Sequence, residues 1–412
     1  MRKSFSRPCA ALLAPKVIQP AISFSRPGSS TMTRLMSSAS ARRNVKVAVL
    51  FQDIDPPVID GSRKPRKPGG YRDSGADIAY TLSKSTDVEV LTPSSDPTPA
   101  KDEDWCFPDS EDGILAAIAK GATHLWANTI LFASHPLQTS FRVGEHGQNL
   151  RVVGQGPLVV EKYDDKDFVN ALLRRQGIFA MPSAWTLHLP KDTPQYDLYT
   201  YPVVGKPARG RGSHGVKVCP DAASLKAHIE ALAAEGLNVI IVEQYLAGEE
   251  ATVTVMPPAD GNGYRALPVV ARFNHHDGIA PYNGAVAVTA NSRAVVGSED
   301  PAYAKISREC ERVAEFLGTT APIRIDVRRF SEGSDFALFD VNMKPNMTGP
   351  GRPGRDDQAS LTGIAAAALG WEYGELLAQI LASATTLEAL RGLKPQGALE
   401  EAAFGKGRSG QD

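Results

Sequence analysis

The run VVGKPARGRGSHGVKV, residues 203–218, leaves this chain few ways to fold. Val203 and Val204 lead to Lys206, and a glycine-rich loop follows with Gly210, Gly212, Ser213 and Gly215. Val216, Lys217 and Val218 then alternate as a strand does, and Pro220-Asp221 interrupt before any helical pattern begins. Glycines let a backbone approach phosphate oxygens and present its N–H groups to them, and a lysine at the loop's edge supplies the neutralising charge. A P-loop needs its Lys and Ser/Thr after the last glycine, at a helix start, so it is excluded. Gly210-x-Gly212-x-x-Gly215 satisfies a dinucleotide fingerprint literally, with Glu243 as its acidic partner. That fingerprint must open a helix directly from a strand, with the acid about 20 residues on; neither holds here. A strand–loop–strand hairpin clamping phosphate fits better, and a ligand-free glycine turn is the alternative.

At 412 residues the chain is long enough for two or three domains. Its net charge of −1 gives no basic surface for nucleic acid. No apolar run is long enough to span a membrane. Cys9, Cys106, Cys219 and Cys310 show no C-x-x-C spacing, which argues against a disulfide framework or zinc site and fits a reducing compartment.

Residues 1–43 differ from the rest. No acidic residue precedes Asp53, serine is abundant, and Arg2, Lys3, Arg7, Lys16, Arg26, Arg34, Arg42 and Arg43 are basic. This is transit-peptide composition, so a mitochondrial address is expected; later starts at Met32 or Met36 would leave a cytoplasmic form, and a basic tail without an address is the other reading. From 44 to 157, VKVAVLF (45–51), VEVLTP (88–93) and THLWANTILF (123–132) read as strands, with helices around 74–84 and 110–120. This alternation predicts an open α/β sheet. The Pro-, Gly-, Lys- and Arg-rich loop 52–73 is read as a substrate-side lid. A second region, 158–250, opens with a helix capped by Asp164 or Asp165, presenting Phe168, Ala171 and Leu172 and stopped by Gly177. A third runs over 251–391, and 392–412 reads as a frayed tail.

IRIDVRRFSEGSDFALFDVN, 323–342, predicts a hairpin about the turn 331–335. That register sets Asp326 opposite Asp340 and Arg324 opposite Asn342, all on one face, with Ile325, Val327, Phe339 and Val341 on the other face or at neighbouring positions. Facing carboxylates repel unless something positive lies between them, and an oxygen-only set of two Asp and an Asn suits Mg²⁺ better than zinc. A solvated polar edge is the bland alternative. In VIIVEQYLAGEEATVTVM (239–256), Glu243 ends a buried strand and Glu250 follows a short linker; acids there can bind an adenine amine and ribose hydroxyls, or merely be solvated.

Together these segments, from about Lys166 to Gly370, resemble the ATP-grasp superfamily in its D-alanine–D-alanine ligase-like branch. The resemblance implies an α/β ATP-grasp fold, with an N-terminal open parallel sheet and two α+β subdomains clamping ATP. It implies that Lys166, Lys206 and the loop Gly210, Gly212, Ser213 and Gly215 hold the phosphates. Glu243, Gln244, Tyr245 and Leu246 become the adenine hinge and Glu250 the ribose acid. Asp326, Asp340 and Asn342 become ligands to Mg²⁺ (or Mn²⁺), and Arg324 the catalytic cation. Thr348, Gly349 and Arg352 become candidates for the second substrate's carboxylate. The implied activity is joining a small carboxylate to an amine or amino acid through an acyl phosphate, in a homodimer. A decayed ATP binder and a nucleotide-dependent oxidoreductase are the alternatives. Three departures stand out: Asp340 replaces the usual Glu, Gly212 replaces a serine, and the glycine- and serine-rich N-terminal loop for a first D-alanine is missing. His275, His276 and Tyr282 fall roughly where the loop covering ATP belongs.

Overall fold

The computed structural model describes residues 45–59, 61–64, 66–210, 212–259, 262–279 and 287–397. The expectations for 1–43, for Tyr282 and for 398–412 lie outside these residues. All described residues belong to one compact unit, built on three main sheets besides a two-stranded ribbon of Val58–Ile59 and Ser62–Arg63.

Val45–Phe51 is the centre of the first sheet, running parallel to Val88–Leu91, Cys106–Pro108 and His124–Asn128. Arg151–Val153 continues the sheet in parallel beyond His124–Asn128. Near-continuous apolar runs are what a strand buried on both faces requires. Val47, Val49 and Phe51 pack toward the helix Arg72–Leu82 and the C-terminal helix Tyr373–Leu381, whereas Ala48 and Leu50 pack toward Ile114, Leu137 and Leu172. The C-terminal part of the region read as 251–391 thus returns to the first sheet, where Thr385–Thr386 adds an antiparallel edge to Arg151–Val153. The expected tail begins docked rather than frayed: Leu393 packs on the core and Gln396 N donates to Tyr163 Oη at 2.7 Å.

The second sheet is antiparallel, in the order Lys217–Cys219, Val203–Pro207, Val239–Gln244, Ala184–His188. Leu225, Ile229 and Leu232 of the helix Ala222–Ala234 cover one face, and Asp221 caps that helix. The third sheet orders Ser292–Ala294, Val270–Arg272, Glu250–Met256, Ile323–Arg329 and Phe336–Asn342, all antiparallel. Its back is covered by Pro301–Leu317, which Asp300 caps, Pro301 starts and Gly318 ends in a left-handed conformation. Among the described residues no helix is long and apolar enough to cross a membrane.

Candidate active site

A cavity of about 630 Å³ opens between the three sheets. Its floor is the hairpin 323–342. Arg324 pairs with Asn342 and Asp326 with Asp340, as the sequence register requires. The register then shifts by one beyond Asp326, a bulge that leaves Phe339 unpaired. Phe339 lines the cavity, and its carbonyl accepts from Lys206 Nζ at 3.2 Å.

The two facing carboxylates are neutralised by the protein itself. Arg324 grips Asp326 through Nε at 2.9 Å and Nη2 at 3.0 Å, and Thr252 Oγ1 and Asn342 Nδ2 also donate to it. Burial pushes the Asp326 carboxyl up, but Arg324, Thr252 and Arg272 outweigh it and hold it below the usual range. Asp340 Oδ1 lies 3.2 Å from Lys166 Nζ. Burial pushes the Lys166 ammonium down; Asp340 and Asp164 more than reverse this, so it stays charged.

A metal fits this floor on one observation: beyond the Lys166 ion pair, the buried Asp340 Oδ1 has no hydrogen-bond partner. Among the described residues no group of three or more His, Cys, Asp or Glu side chains could hold a metal. The set is therefore two carboxylates and the Asn342 amide, which matches a hard cation completing its shell with water and ligand oxygens.

The glycine loop is a hairpin between Val203–Pro207 and Lys217–Cys219, with no helix at its exit, which removes the dinucleotide geometry. Gly212, Ser213 and Gly215 have φ of 61°, 60° and 71°. Both ends are pinned by His228, whose Nε2 lies 3.2 Å from Gly205 O and 3.0 Å from Gly215 O. Lys206 Nζ reaches Glu243 Oε1 at 2.6 Å, and both side chains are buried. Glu243, Gln244, Tyr245 and Leu246 line the opposite wall. Glu250 Oε2 contacts His275 Nε2 at 2.9 Å and Arg328 Nη1 at 3.5 Å, and Arg328 also donates to Tyr245 Oη at 3.0 Å.

Residues 182–382 match the family model "D-ala D-ala ligase C-terminus". A D-alanine–D-alanine ligase of Syntrophotalea carbinolica is 29% identical over 45% of this chain and 55% of its own length. One from Gloeobacter violaceus is 31% identical over 44% and 54%. The chain thus spans about half the length of the curated relatives it matches. A solved D-alanine–D-alanine ligase of Bacillus anthracis, complexed with ATP, superposes with a TM-score of 0.58 at 18% identity, over 84% of this chain and 99% of that one. The chain has the ATP-grasp fold of the D-alanine–D-alanine ligases.

In this fold most of the expected residues face one cavity: Lys166, Lys206, Gly210, Gly212, Ser213, the hinge, Glu250, Arg324, Asp326, Asp340, Asn342 and Thr348. Three do not line it. Gly215 closes the base of its loop, where a Cβ would meet Leu232 Cδ2 at 2.8 Å. Gly349 is pressed against Tyr373, whose ring a Cβ would meet at 2.4 Å. Arg352, expected to hold a substrate carboxylate, is 3% exposed and turned into the first sheet's flank. There its Nε donates to the fully buried Asp77 at 2.8 Å and its Nη1 meets Asp102 at 2.7 Å. A partner 275 residues upstream leaves no local signal in sequence. His275 touches Glu250 as described, and His276 pairs with Asp277 on the surface.

Several lining residues were not singled out beforehand: Lys64, Lys67, Tyr71, Asp73, Arg272 and Lys344. The first four belong to the loop read as a lid or its exit, so the basic, Gly/Pro-rich composition was their signal. Lys64 crosses the cavity mouth to Asp164 Oδ1 at 2.6 Å. The loop's base is fixed by Asp109, whose Oδ1 accepts from the amides of Asp53 at 2.8 Å and Ile54 at 3.0 Å. Thr129 Oγ1 and His135 Nε2 meet the other oxygen, and His135 Nδ1 accepts from Leu137 N, which leaves the ring proton on Nε2.

Proposed function

We propose that this protein is an ATP-dependent carboxylate–amine ligase. A substrate carboxylate oxygen attacks the γ-phosphorus of ATP, forming an acyl phosphate and releasing ADP. An amine then attacks the acyl carbon; the C–O bond to phosphate breaks, the amide forms, and the amine's proton leaves to solvent with inorganic phosphate. This needs no protein nucleophile, only positioning and charge compensation. The observation that carries the reading is the convergence on one cavity of a pinned glycine loop, a buried Lys–Glu hinge and a floor of facing carboxylates gripped by Arg324.

Lys166, Lys206 and the loop amides hold phosphates, Glu243 to Leu246 the adenine, and Glu250 the ribose. Arg324 steadies the acyl phosphate and the oxyanion formed when the amine attacks. Asp326, Asp340 and Asn342 would hold Mg²⁺ or Mn²⁺, which supplies charge neutralisation at the phosphates when bound. Thr348 faces the amine substrate. The names of the relatives agree with the reaction type: two are D-alanine–D-alanine ligases, and a third, 24% identical over 47% of its length, is a phosphoribosylamine–glycine ligase of Methanocorpusculum labreanum.

The test is ADP and phosphate release by the full chain with Mg·ATP, screened against pooled carboxylates and amines. Release requiring both an acid and an amine supports the proposal. ATP binding without release from any pair favours a decayed binder. Residues 1–43 are proposed, on composition, to direct mitochondrial import, which import into isolated mitochondria checks; sedimentation checks the homodimer.

A further inference from the structure

Two histidines follow one another in the segment 273–279 and face opposite ways. The His275 side chain is 19% exposed and its Nε2 lies 2.9 Å from Glu250 Oε2, whereas His276 is 86% exposed and pairs with its neighbour Asp277. The backbone decides this. Phe273 N donates to Asn291 O at 2.9 Å and Asn274 Nδ2 to Ala290 O at 3.1 Å, which fastens the start of the segment beside the strand Ser292–Ala294. His276 and Ile279 then exchange amide-to-carbonyl bonds at 2.9 Å each. Between them Asp277 and Gly278 have φ of 50° and 78°, the signs a two-residue type I′ turn requires. With both ends tied, the ring of His275 is held against Glu250.

Glu250 lines the cavity and His275 does not. A carboxylate oxygen can only accept, so the ring donates through Nε2. Glu250 has a second cation nearby, but its main commitments lie elsewhere. Arg328 Nη1 is 3.5 Å from the same Oε2 and gives its short bond, 2.6 Å, to Gly278 O; Nη2 goes to Tyr245 Oη at 3.0 Å and Nε to Gly248 O at 3.1 Å. Arg328 therefore offsets the charge of the buried carboxylate, while the shorter contact with His275 sets where that carboxylate sits. Both contacts fall on Oε2. Among the described residues Oε1 has no hydrogen-bond partner, so it is the oxygen left for a ligand.

We propose that His275 is a positioning residue of the nucleotide site, holding Glu250 by Oε2 so that Oε1 receives the ribose hydroxyls. Hydroxyl bonds to a carboxylate are charge-assisted, and a side chain immobilised beforehand costs the ligand less to order. Without His275 the carboxylate keeps its charge partner, Arg328, but loses the contact that aims it at the sugar. The inference rests on the assignment of the ribose to Glu250, and its test reads nucleotide binding alone, without turnover.

The experiment is calorimetry on the full chain in Mg²⁺, comparing ADP with 2′,3′-dideoxy-ADP, which lacks both ribose hydroxyls; neither has a γ-phosphate to transfer. The wild-type chain should bind ADP at least about tenfold more tightly than the dideoxy nucleotide, the scale of hydrogen bonds to a charged group. His275→Ala should weaken ADP binding about tenfold and leave the dideoxy nucleotide within about twofold, so that the preference for the hydroxyls collapses. Retained dideoxy-ADP affinity shows that the variant is folded. His275→Gln, which keeps an N–H donor at similar reach, should recover part of the ADP affinity. A loss equal for both nucleotides, no loss for either, or no recovery in His275→Gln overturns the positioning role while the ribose assignment stands. Equal binding of the two nucleotides by the wild-type chain sinks the ribose assignment of Glu250, and the role of His275 with it.

Discussion

Replacing Arg352 by Leu separates two roles that sequence alone cannot. If Arg352 held a substrate carboxylate, its loss would raise one KM and leave stability almost untouched. The structure instead gives it a 0%-exposed aspartate, Asp77, together with Asp102 and the carbonyls of Pro99 and Asp73. Breaking a buried ion pair from one side costs about 3–5 kcal/mol, because the remaining charge is stranded. Asp77 keeps Arg355, whose Nε lies 2.8 and 3.0 Å from its two oxygens, so the lower end, about 3 kcal/mol, is expected. With an unfolding entropy of roughly 2 cal/mol/K per residue over the unit 43–412, that corresponds to a fall in Tm of about 4 °C. Asp77→Asn in the same background should recover part of the loss, because burial already pushes that carboxyl up despite Arg355 and Arg352. Differential scanning calorimetry reads the Tm, and steady-state kinetics well below it read both KM values. An unchanged Tm with one KM raised tenfold or more would refute the buried-network argument and restore Arg352 to the substrate.

Three other outcomes are expected. Asp340→Asn should lower ATP-dependent turnover by at least a hundredfold with Tm within about 2 °C, since one charge leaves a partly solvated pair with Lys166; full turnover in this variant would remove Asp340 from the metal set. His228→Ala should raise KM for ATP about tenfold with a smaller change in kcat, because it frees both ends of the glycine loop without touching the floor; equal losses in kcat and kcat/KM would contradict a positioning role. For Asp109, burial pushes the carboxyl up, but His135, Thr129 and the Ile54 amide outweigh it and hold it below its ordinary value of 3.8. Its contribution is therefore present above that value and lost as pH falls through the lower folded one. Asp109→Asn should flatten the dependence of stability on pH below about 4, measured by urea unfolding, and an unaltered acid limb would count against it.

The register of 323–342 was readable because side-chain alternation has a period of two and the turn pinned it, so Arg324, Asp326, Asp340 and Asn342 fell into place. The bulge that takes Phe339 out of the pairing is a feature no alternation reveals. The glycine loop was readable because Val216 to Val218 alternate after it and Pro220-Asp221 delay the helix. Arg352 failed for a different reason: an arginine beside glycines looks the same whether it faces solvent, substrate or an aspartate far upstream. Lys67 and Lys344 lie far apart in sequence, and only the positive-φ turn at Gly69–Tyr71 brings them to one ring.

By itself, then, the sequence determined the elements and local chemistry of this protein: parallel apolar strands, a glycine-rich hairpin, and carboxylates facing across a second hairpin. These follow from periodicity, turn residues and short-range sterics, all of which act over a few residues. Tertiary structure alone decided which charges compensate one another, that the C-terminal helices return to the first sheet, and that lysine–aspartate pairs wall one side of the cavity. Those outcomes depend on distances between segments hundreds of residues apart, and Coulomb and desolvation energies are set by that separation and burial rather than by order along the chain.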